Sequence, residues 1–242
     1  MSEIFVLVEH RQGKIRDITY EMLAAGENLA SQQGTSSTAV LLGHHVKNFA
    51  EKLATKTSKV LVVEDSQLEN FNSILYQKVI SFLIAKHQPI LILIGHTAFG
   101  MDLAPSLSVE LGFPLVTDCI GLSFEENRLK AVRSIYGGKV NANVSLKECK
   151  GYVATVRPGV FSPGPPSEKK GGIIMESSPL QGSIDVKKFI EYIEAPITGE
   201  DITQAEIIVS VGQGIGGPEH IPMIEEVAKS LGGVVACSRP VV

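Results

Sequence analysis

Apolar residues in the first 96 positions fall into four short continuous runs, separated by longer segments with helical spacing. The predicted elements are strands at 3–10, 37–43, 59–65 and 88–96, and helices at 19–34, 46–56 and 68–87. The strand runs are apolar at every position and do not alternate, which is typical of strands covered on both faces. Alternating strands and helices predict parallel β-α-β units with right-handed crossovers.

The pattern changes after the fourth strand. The segment 95–114 predicts another helix, capped by Thr97 and ended at Gly112. Residues 114–159 contain several strand-like runs with turns and little helical periodicity, which indicates a partly antiparallel meander. Proline, glycine and charge in the segment 160–172 predict a surface loop.

A second β-α-β pattern begins near residue 205, with a strand, the glycine loop "QGIGG", a helix over 218–233 and a strand over 234–238. We therefore divide the chain into a first domain, 1–195, and a second, 196–242. Two strands and one helix bury too little surface for a stable core, so we expect the second domain to be incomplete. The predicted fold is α/β: a mainly parallel Rossmann-like domain with a partly antiparallel meander, followed by one β-α-β unit.

The glycine loop is the first candidate site. Gly212, Gly214 and Gly217 match G-x-G-x-x-G between a strand and a helix, where glycines and helix amides can accommodate a pyrophosphate. Such turns also occur purely for close packing. A dinucleotide site requires an acidic residue about 20 residues later to bind the ribose, but Ser238 and Arg239 stand there. Arginine can face a phosphate or a ring that gains negative charge, or it can simply be exposed, and an NAD-dependent dehydrogenase is disfavoured.

Composition excludes several classes of function. The chain has 242 residues, of which 44% are hydrophobic and 20% charged, and its net charge of −4 leaves no basic surplus for nucleic acid. The longest apolar run, 89–95, is too short to span a bilayer, and the strand-like start lacks a leader, so we expect a cytoplasmic protein. Cys119, Cys149 and Cys237 are scattered, which argues against a disulfide framework and against a zinc site.

The remaining polar candidates have structural explanations. The spacing of Asp102 and Asp118 places no carboxylate pair on one helical face, so we expect helix capping or solvent exposure. His96 ends the fourth strand, at the edge where open α/β sheets bind ligands. No spacing indicates a nucleophile with a base, so we expect no catalytic residue and no metal site.

Four blocks of the sequence, in this order, carry a family resemblance: 95–122, 136–144, 153–163 and 209–242. The sequence resembles the alpha subunit of electron-transfer flavoproteins over essentially its whole length. The resemblance implies a first domain related to adenine-nucleotide hydrolases and a second, flavodoxin-like domain that binds FAD. It also implies a heterodimer with a beta subunit that holds AMP or a second FAD.

The resemblance implies an electron carrier and not an enzyme, unless the protein belongs to a bifurcating complex. Its partners would be flavin-linked dehydrogenases, such as the acyl-CoA dehydrogenases of fatty acid β-oxidation, and a quinone reductase or other acceptor. The alternative is a stand-alone domain that senses adenine nucleotides through the crevice at 95–100 and contains no flavin.

The resemblance also assigns cofactor-binding roles to residues. Arg239 matches the arginine beside the isoalloxazine ring, Ser238 matches a hydroxyl contact, and Gly212, Gln213 and Gly214 match the glycine turn. Gln213 stands where the family usually has arginine, so an ion pair at that position is lost. The family chain continues beyond these residues with segments that complete the FAD site, so we expect an incomplete site and weak FAD binding by the 242 residues alone.

Overall fold

The computed structural model describes residues 3–164, 170–182, 187–193, 202, 205–238 and 241. The chain divides into two compact units, Met1–Phe189 and Ile190–Val242. The predicted domain boundary, between residues 195 and 196, lies outside the described residues. Among the described residues, every helix is too short or too polar to cross a membrane.

The described part of the first unit contains one large sheet, a separate two-stranded hairpin and four α-helices. Its strands are β1 (Glu3–Leu7), β2 (His10–Arg11), β3 (Lys14–Ile15), β4 (Ser36–Gly43), β5 (Lys59–Glu64), β6 (Leu91–Gly95), β7 (Leu115–Glu125), β8 (Arg128–Ile135), β9 (Val140–Ser145), β10 (Tyr152–Val156) and β11 (Gly172–Glu176). Its helices are α1 (Asp17–Gln32), α2 (Lys47–Leu53), α3 (Ser73–His87) and α4 (Ala98–Leu111). The sheet order is β11-β5-β4-β1-β6-β10-β7-β8-β9, and β2 pairs with β3 in a separate hairpin.

Both faces of the central parallel strands are buried. In β1, Ile4 and Val6 belong to one apolar cluster with residues of α1, while Phe5 and Leu7 belong to another with residues of α3 and α4. Because successive side chains point to opposite faces, a strand covered on both sides must be apolar throughout. This confirms the prediction of a mainly parallel α/β sheet.

The meander is antiparallel only at one edge. β7 pairs with β8, and β8 with β9, in antiparallel ladders. β10 instead inserts between β6 and β7 and is parallel to both. The prediction of a partly antiparallel meander is therefore confirmed. Because β10 is parallel to both neighbours, it connects β6 to the antiparallel edge of the sheet.

Several boundaries differ from the predictions. The first strand ends at Leu7, and its last predicted residue, His10, begins the β2–β3 hairpin. The helix predicted from residue 68 begins only at Ser73, since the Asn72 carboxamide caps it by accepting from the amide of Ile74 at 3.1 Å. The pattern also missed β11, an edge strand that is largely exposed and so lacks a buried face to reveal it.

The second unit is small. It contains β12 (Ile208–Val211), α5 (Ile221–Leu231) and β13 (Val234–Cys237), and the two strands are parallel. Among its described residues, the buried apolar side chains are Val211 and Ala228, while Met223, Val227 and Leu231 on one side of α5 are about half exposed. Two strands and one helix bury little apolar surface, as predicted from the length of this segment.

Candidate functional site

The candidate site is the carboxyl edge of the two-stranded sheet. After β12 ends, the Ile215 amide donates to the Gly212 carbonyl at 3.0 Å and closes a 3₁₀ turn over Gln213–Ile215. Gly216 follows with φ +89°, a conformation that favours glycine. The loop therefore turns sharply at the end of the strand, with Gln213 exposed on its first turn.

The fold brings Ser238 to the same edge. β12 and β13 pair in register from Ile208 opposite Val234 to Val211 opposite Cys237. The Ser238 amide then donates to the Val211 carbonyl at 3.0 Å, which places Ser238 beside the start of the glycine loop. The candidate residue Arg239 is next in the chain but lies outside the described residues.

The glycines of the loop are not equivalent. A Cβ atom added at Gly212 or Gly214 would meet no described atom within 4 Å, and neither residue has a positive φ. At Gly233, after the helix, an added Cβ would lie 2.7 Å from the Ile207 carbonyl oxygen. Packing of the described chain therefore explains Gly233, and backbone conformation explains Gly216, but neither explains Gly212 or Gly214.

The loop differs from a simple dinucleotide turn. The sequence predicts a helix from residue 218, whereas a second 3₁₀ turn occupies Pro218–His220 and α5 begins at Ile221. Pro222 in the first turn of α5 has no amide hydrogen to contribute. The amides nearest β12 thus belong to the 3₁₀ turns, and the helix amides follow several residues later.

A polar cluster lies at the carboxyl edge of the large sheet in the first unit. Arg157 donates from Nε and Nη2 to the two carboxylate oxygens of Asp118 at 2.8 and 2.5 Å. His96 Nε2 lies 3.9 Å from Asp118, and its Nδ1 lies 2.9 Å from the Thr155 hydroxyl. The expectation that Asp118 caps a helix or is simply exposed is therefore wrong, because an arginine two positions beyond Thr155 in the sequence pairs with it.

This ion pair changes the titration of the carboxylate. The Arg157 guanidinium lowers the pKa of Asp118 below its usual value. Asp118 also adopts a left-handed backbone conformation, with φ +59°, beside a break in the β7–β10 register. Sequence periodicity could not reveal this pair, because its partners are 39 residues apart and meet only when β10 inserts beside β7.

Replacing Asp118 with asparagine should lower the free energy of unfolding by about 1 kcal/mol at pH 7, since it removes a partly exposed ion pair but keeps a residue that tolerates left-handed φ. Because the pKa of Asp118 is lowered in the folded state, this stabilisation is present above the pKa of the unfolded carboxyl, about 3.9, and is lost as pH falls through the lower folded value. Urea unfolding at pH 7 and pH 3 measures the difference, with the exposed Glu51→Gln as control. An equal Asp118→Asn effect at both pH values would contradict the assignment.

The crevice at the start of α4 contains an acidic residue. The Thr97 hydroxyl caps α4 and donates to Glu9 Oε2 at 2.8 Å. The same carboxylate oxygen lies 3.1 Å from where a Cβ on Gly95 would be. Burial raises the pKa of Glu9, with opposing contributions from the Thr97 hydrogen bond and from Arg16. A carboxylate beside the carboxyl ends of β1 and β6 disfavours a phosphate at that position.

The remaining polar residues and thiols considered from the sequence do not add a site. Asp102 lies in α4 and accepts from Lys187 Nζ at 3.3 Å. Burial raises the pKa of the Cys119 thiol to about 12, which keeps it protonated and unreactive. Among the described residues, no three His, Cys, Asp or Glu side chains are grouped so that they could hold a metal ion.

Two family matches cover most of the chain. Residues 4–179 match the electron transfer flavoprotein domain, and residues 201–242 match the electron transfer flavoprotein FAD-binding domain. The second match contains the glycine loop, Ser238 and Arg239. The division between the matches falls in the same part of the chain as the division between the two units.

Similar proteins carry the same description. The chain is 33% identical to the electron transfer flavoprotein subunit alpha of Thermoanaerobacterium thermosaccharolyticum over 100% of its own length and 74% of that relative. It is 33% identical to the subunit alpha of Clostridium acetobutylicum, over 98% and 72% of the two chains. A subunit of the lactate dehydrogenase (NAD(+),ferredoxin) of Acetobacterium woodii, LctC, is 32% identical over 98% of this chain and 57% of its own. The chain therefore belongs to the electron transfer flavoprotein family, among its alpha subunits.

Proposed function

We propose that the chain is the alpha subunit of a heterodimeric electron carrier and that its second unit contributes to an FAD site. The observation that carries the proposal is the open space over Gly212 and Gly214 inside a segment that matches an FAD-binding domain. Glycines that the chain's own packing does not require are explained by a ligand that approaches the backbone closely. FAD, when bound, supplies the reversible gain and loss of electrons.

The residues at this edge would have different roles in binding the cofactor. The glycine loop would contact the cofactor through its backbone, and the Ser238 hydroxyl, exposed beside Gly212, would donate a hydrogen bond. Arg239 would place a fixed cation beside the flavin ring, where negative charge develops on reduction. Gln213 can hydrogen-bond but adds no charge, so the electrostatic contribution at this edge would come from Arg239.

The relatives' names indicate the partners. A subunit alpha implies a beta subunit, and LctC belongs to a dehydrogenase complex. We propose a beta-type subunit that holds AMP or a second FAD, flavin-linked dehydrogenases as donors, including those of fatty acid β-oxidation, and a quinone reductase or other acceptor. A cytoplasmic location follows from the same proposal. A bifurcating complex is the version of this function in which the chain would be part of an enzyme.

The alternative function, a nucleotide sensor built on the first unit alone, receives no support from the relatives. The Glu9 carboxylate at the crevice also repels phosphate at the place such a sensor would use. A flavin-containing complex and a colourless nucleotide-binding chain are distinguished by their absorption spectra.

Gly214→Ala tests the proposal in the full-length gene product co-expressed with a beta-type subunit. The unchanged complex should be yellow with bound FAD. We expect the variant to bind FAD about tenfold more weakly, because the new methyl group occupies the ligand's space, while thermal stability stays within about 0.5 kcal/mol. Flavin titration and thermal unfolding measure the two effects.

Gly216→Ala is the matched control. Its positive φ makes alanine cost about 1 kcal/mol of stability in the loop itself. The two variants therefore separate a loss of ligand contact from a loss of loop structure. A colourless unchanged complex, or full FAD affinity in Gly214→Ala, would contradict the proposal.

A further inference from the structure

The turn between β8 and β9 presents an aromatic side chain to solvent. Tyr136, which follows β8 directly, is 78% exposed, and Val140, the first residue of β9, is 48% exposed. The Tyr136 side chain makes no hydrogen bond or ring contact with any residue that the structure describes. Packing within the described chain therefore does not explain a large aromatic side chain at this position.

The backbone at Tyr136 is also strained. Its φ is +53°, and Gly137 and Gly138 follow with φ of +64° and +90°. Glycine adopts such angles freely, whereas a residue with a Cβ atom loses stability there, and a bulky one is rare. The other non-glycine residues with positive φ in the described chain are all polar: Gln12, His45, Gln88, Asp118, Glu126 and Asn127. A tyrosine that is both strained and exposed indicates a role other than folding.

A positive charge lies beside this ring in the same turn. Lys139 is exposed and forms no ion pair with the described residues. The turn adjoins β9, which is the last strand at one edge of the nine-stranded sheet, so a second chain can reach it. Tyrosine is enriched among the interface residues that fill a partner's pocket, and an unpaired cation next to it favours an acidic rim.

We propose that the β8–β9 turn is a docking surface, at which Tyr136 fills an apolar pocket of the beta-type subunit and Lys139 faces an acidic group at the rim of that pocket. The inference rests on the proposed function, which supplies this partner. Contacts formed on association compensate for the strain at Tyr136. One substitution at Tyr136 should therefore act in opposite directions, because it relieves strain in the free subunit and removes a contact from the complex.

Tyr136→Asn in the full-length subunit tests the proposal, because asparagine tolerates positive φ but lacks the ring. We expect the urea midpoint of the subunit to stay unchanged or to rise by up to about 0.5 M. The dissociation constant for the beta-type subunit should rise at least about tenfold. Circular dichroism in urea measures the first effect, and sedimentation velocity over a dilution series measures the second.

Glu126→Asn is the matched control for strain. Glu126 is exposed in the β7–β8 turn and has φ +49°, so the substitution relieves the same kind of strain at a different turn. It should leave binding of the beta-type subunit unchanged. Tyr136→Phe keeps the ring and should bind within about threefold of the unchanged subunit.

The charge of Lys139 is tested by reversal. Lys139→Glu should weaken binding about tenfold at low salt and less at high salt, because an acidic rim would repel the new carboxylate. Lys147→Glu makes the same change in net charge at an exposed lysine beyond the other end of β9, and should have little effect.

The possible failures are distinguishable. Full affinity of Tyr136→Asn in a yellow complex overturns this inference and leaves the proposed function intact. Unchanged subunits that do not associate overturn both. If Tyr136→Asn instead disrupts a homodimer of the alpha subunit alone, the occupant of the surface is a second copy of this chain, and the proposal is overturned.

Discussion

Gly100→Ala is expected to lower the free energy of unfolding of the first unit by about 3 kcal/mol or more, the range of severe overpacking. Gly100 lies in the first turn of α4, where its Cβ would overlap the carbonyl oxygen of Gly95 and approach Ile94 Cγ2 to 2.9 Å. The first neighbour is backbone of the strand that precedes the helix, so it cannot rotate away. Relief would require α4 to move off the end of β6, which also pulls Thr97 from Glu9.

Urea unfolding followed by circular dichroism measures this effect, since the chain contains no tryptophan to report by fluorescence. Gly172→Ala is the matched control, because a Cβ at Gly172, in β11, meets no described atom within 4 Å. We expect this control to change stability by less than about 0.5 kcal/mol. Equal stabilities of Gly100→Ala and Gly172→Ala would refute the close approach of α4 to β6.

The ends of α4 are a part of the fold that the sequence could predict. Thr97 as the cap of α4 and Gly112 as its end were both predicted from residue type, and both are confirmed. These signals are local, because a cap bonds to an amide three residues away and a left-handed turn favours glycine. The continuous apolar strands likewise predicted the parallel sheet, because a strand that is buried on both faces is apolar at every position.

Features that depend on distant partners could not be predicted. β10 leaves the meander to lie between β6 and β7, and β11 crosses to the far edge beside β5. The Asp118–Arg157 pair forms because β10 lies beside β7. In the candidate site, the strand pairing that brings Ser238 beside Gly212 is implied by a β-α-β pattern, whereas the 3₁₀ turns that delay α5 are not. The roles of Gly212, Gln213, Gly214, Ser238 and Arg239 remain predictions from the resemblance.

Arg239→Gln should lower the one-electron midpoint potential of the bound flavin by about 90 mV, equivalent to about 2 kcal/mol, if Arg239 supplies the cation that we propose beside the ring. The sign follows from charge. A cation stabilises the electron-rich reduced ring more than the neutral oxidised ring, so its removal favours the oxidised form. Spectroelectrochemical titration of the yellow complex, formed by the full-length gene product with a beta-type subunit, measures the shift.

Lys229→Gln controls for net charge. Lys229 is in the last turn of α5, and a crossover helix places that turn at the amino ends of β12 and β13, opposite the edge that carries Ser238. Screening by solvent and salt should keep the effect of Lys229→Gln on the flavin potential below about 20 mV. The shift of the potential in Arg239→Lys should lie between the shifts in Arg239→Gln and Lys229→Gln, because the charge is kept while the planar guanidinium is lost. If Arg239→Gln and Lys229→Gln shift the potential equally, the effect is one of net charge, and Arg239 has no special position at the ring. A shift confined to the Arg239 variants would instead support the proposed role of Arg239 in tuning the flavin.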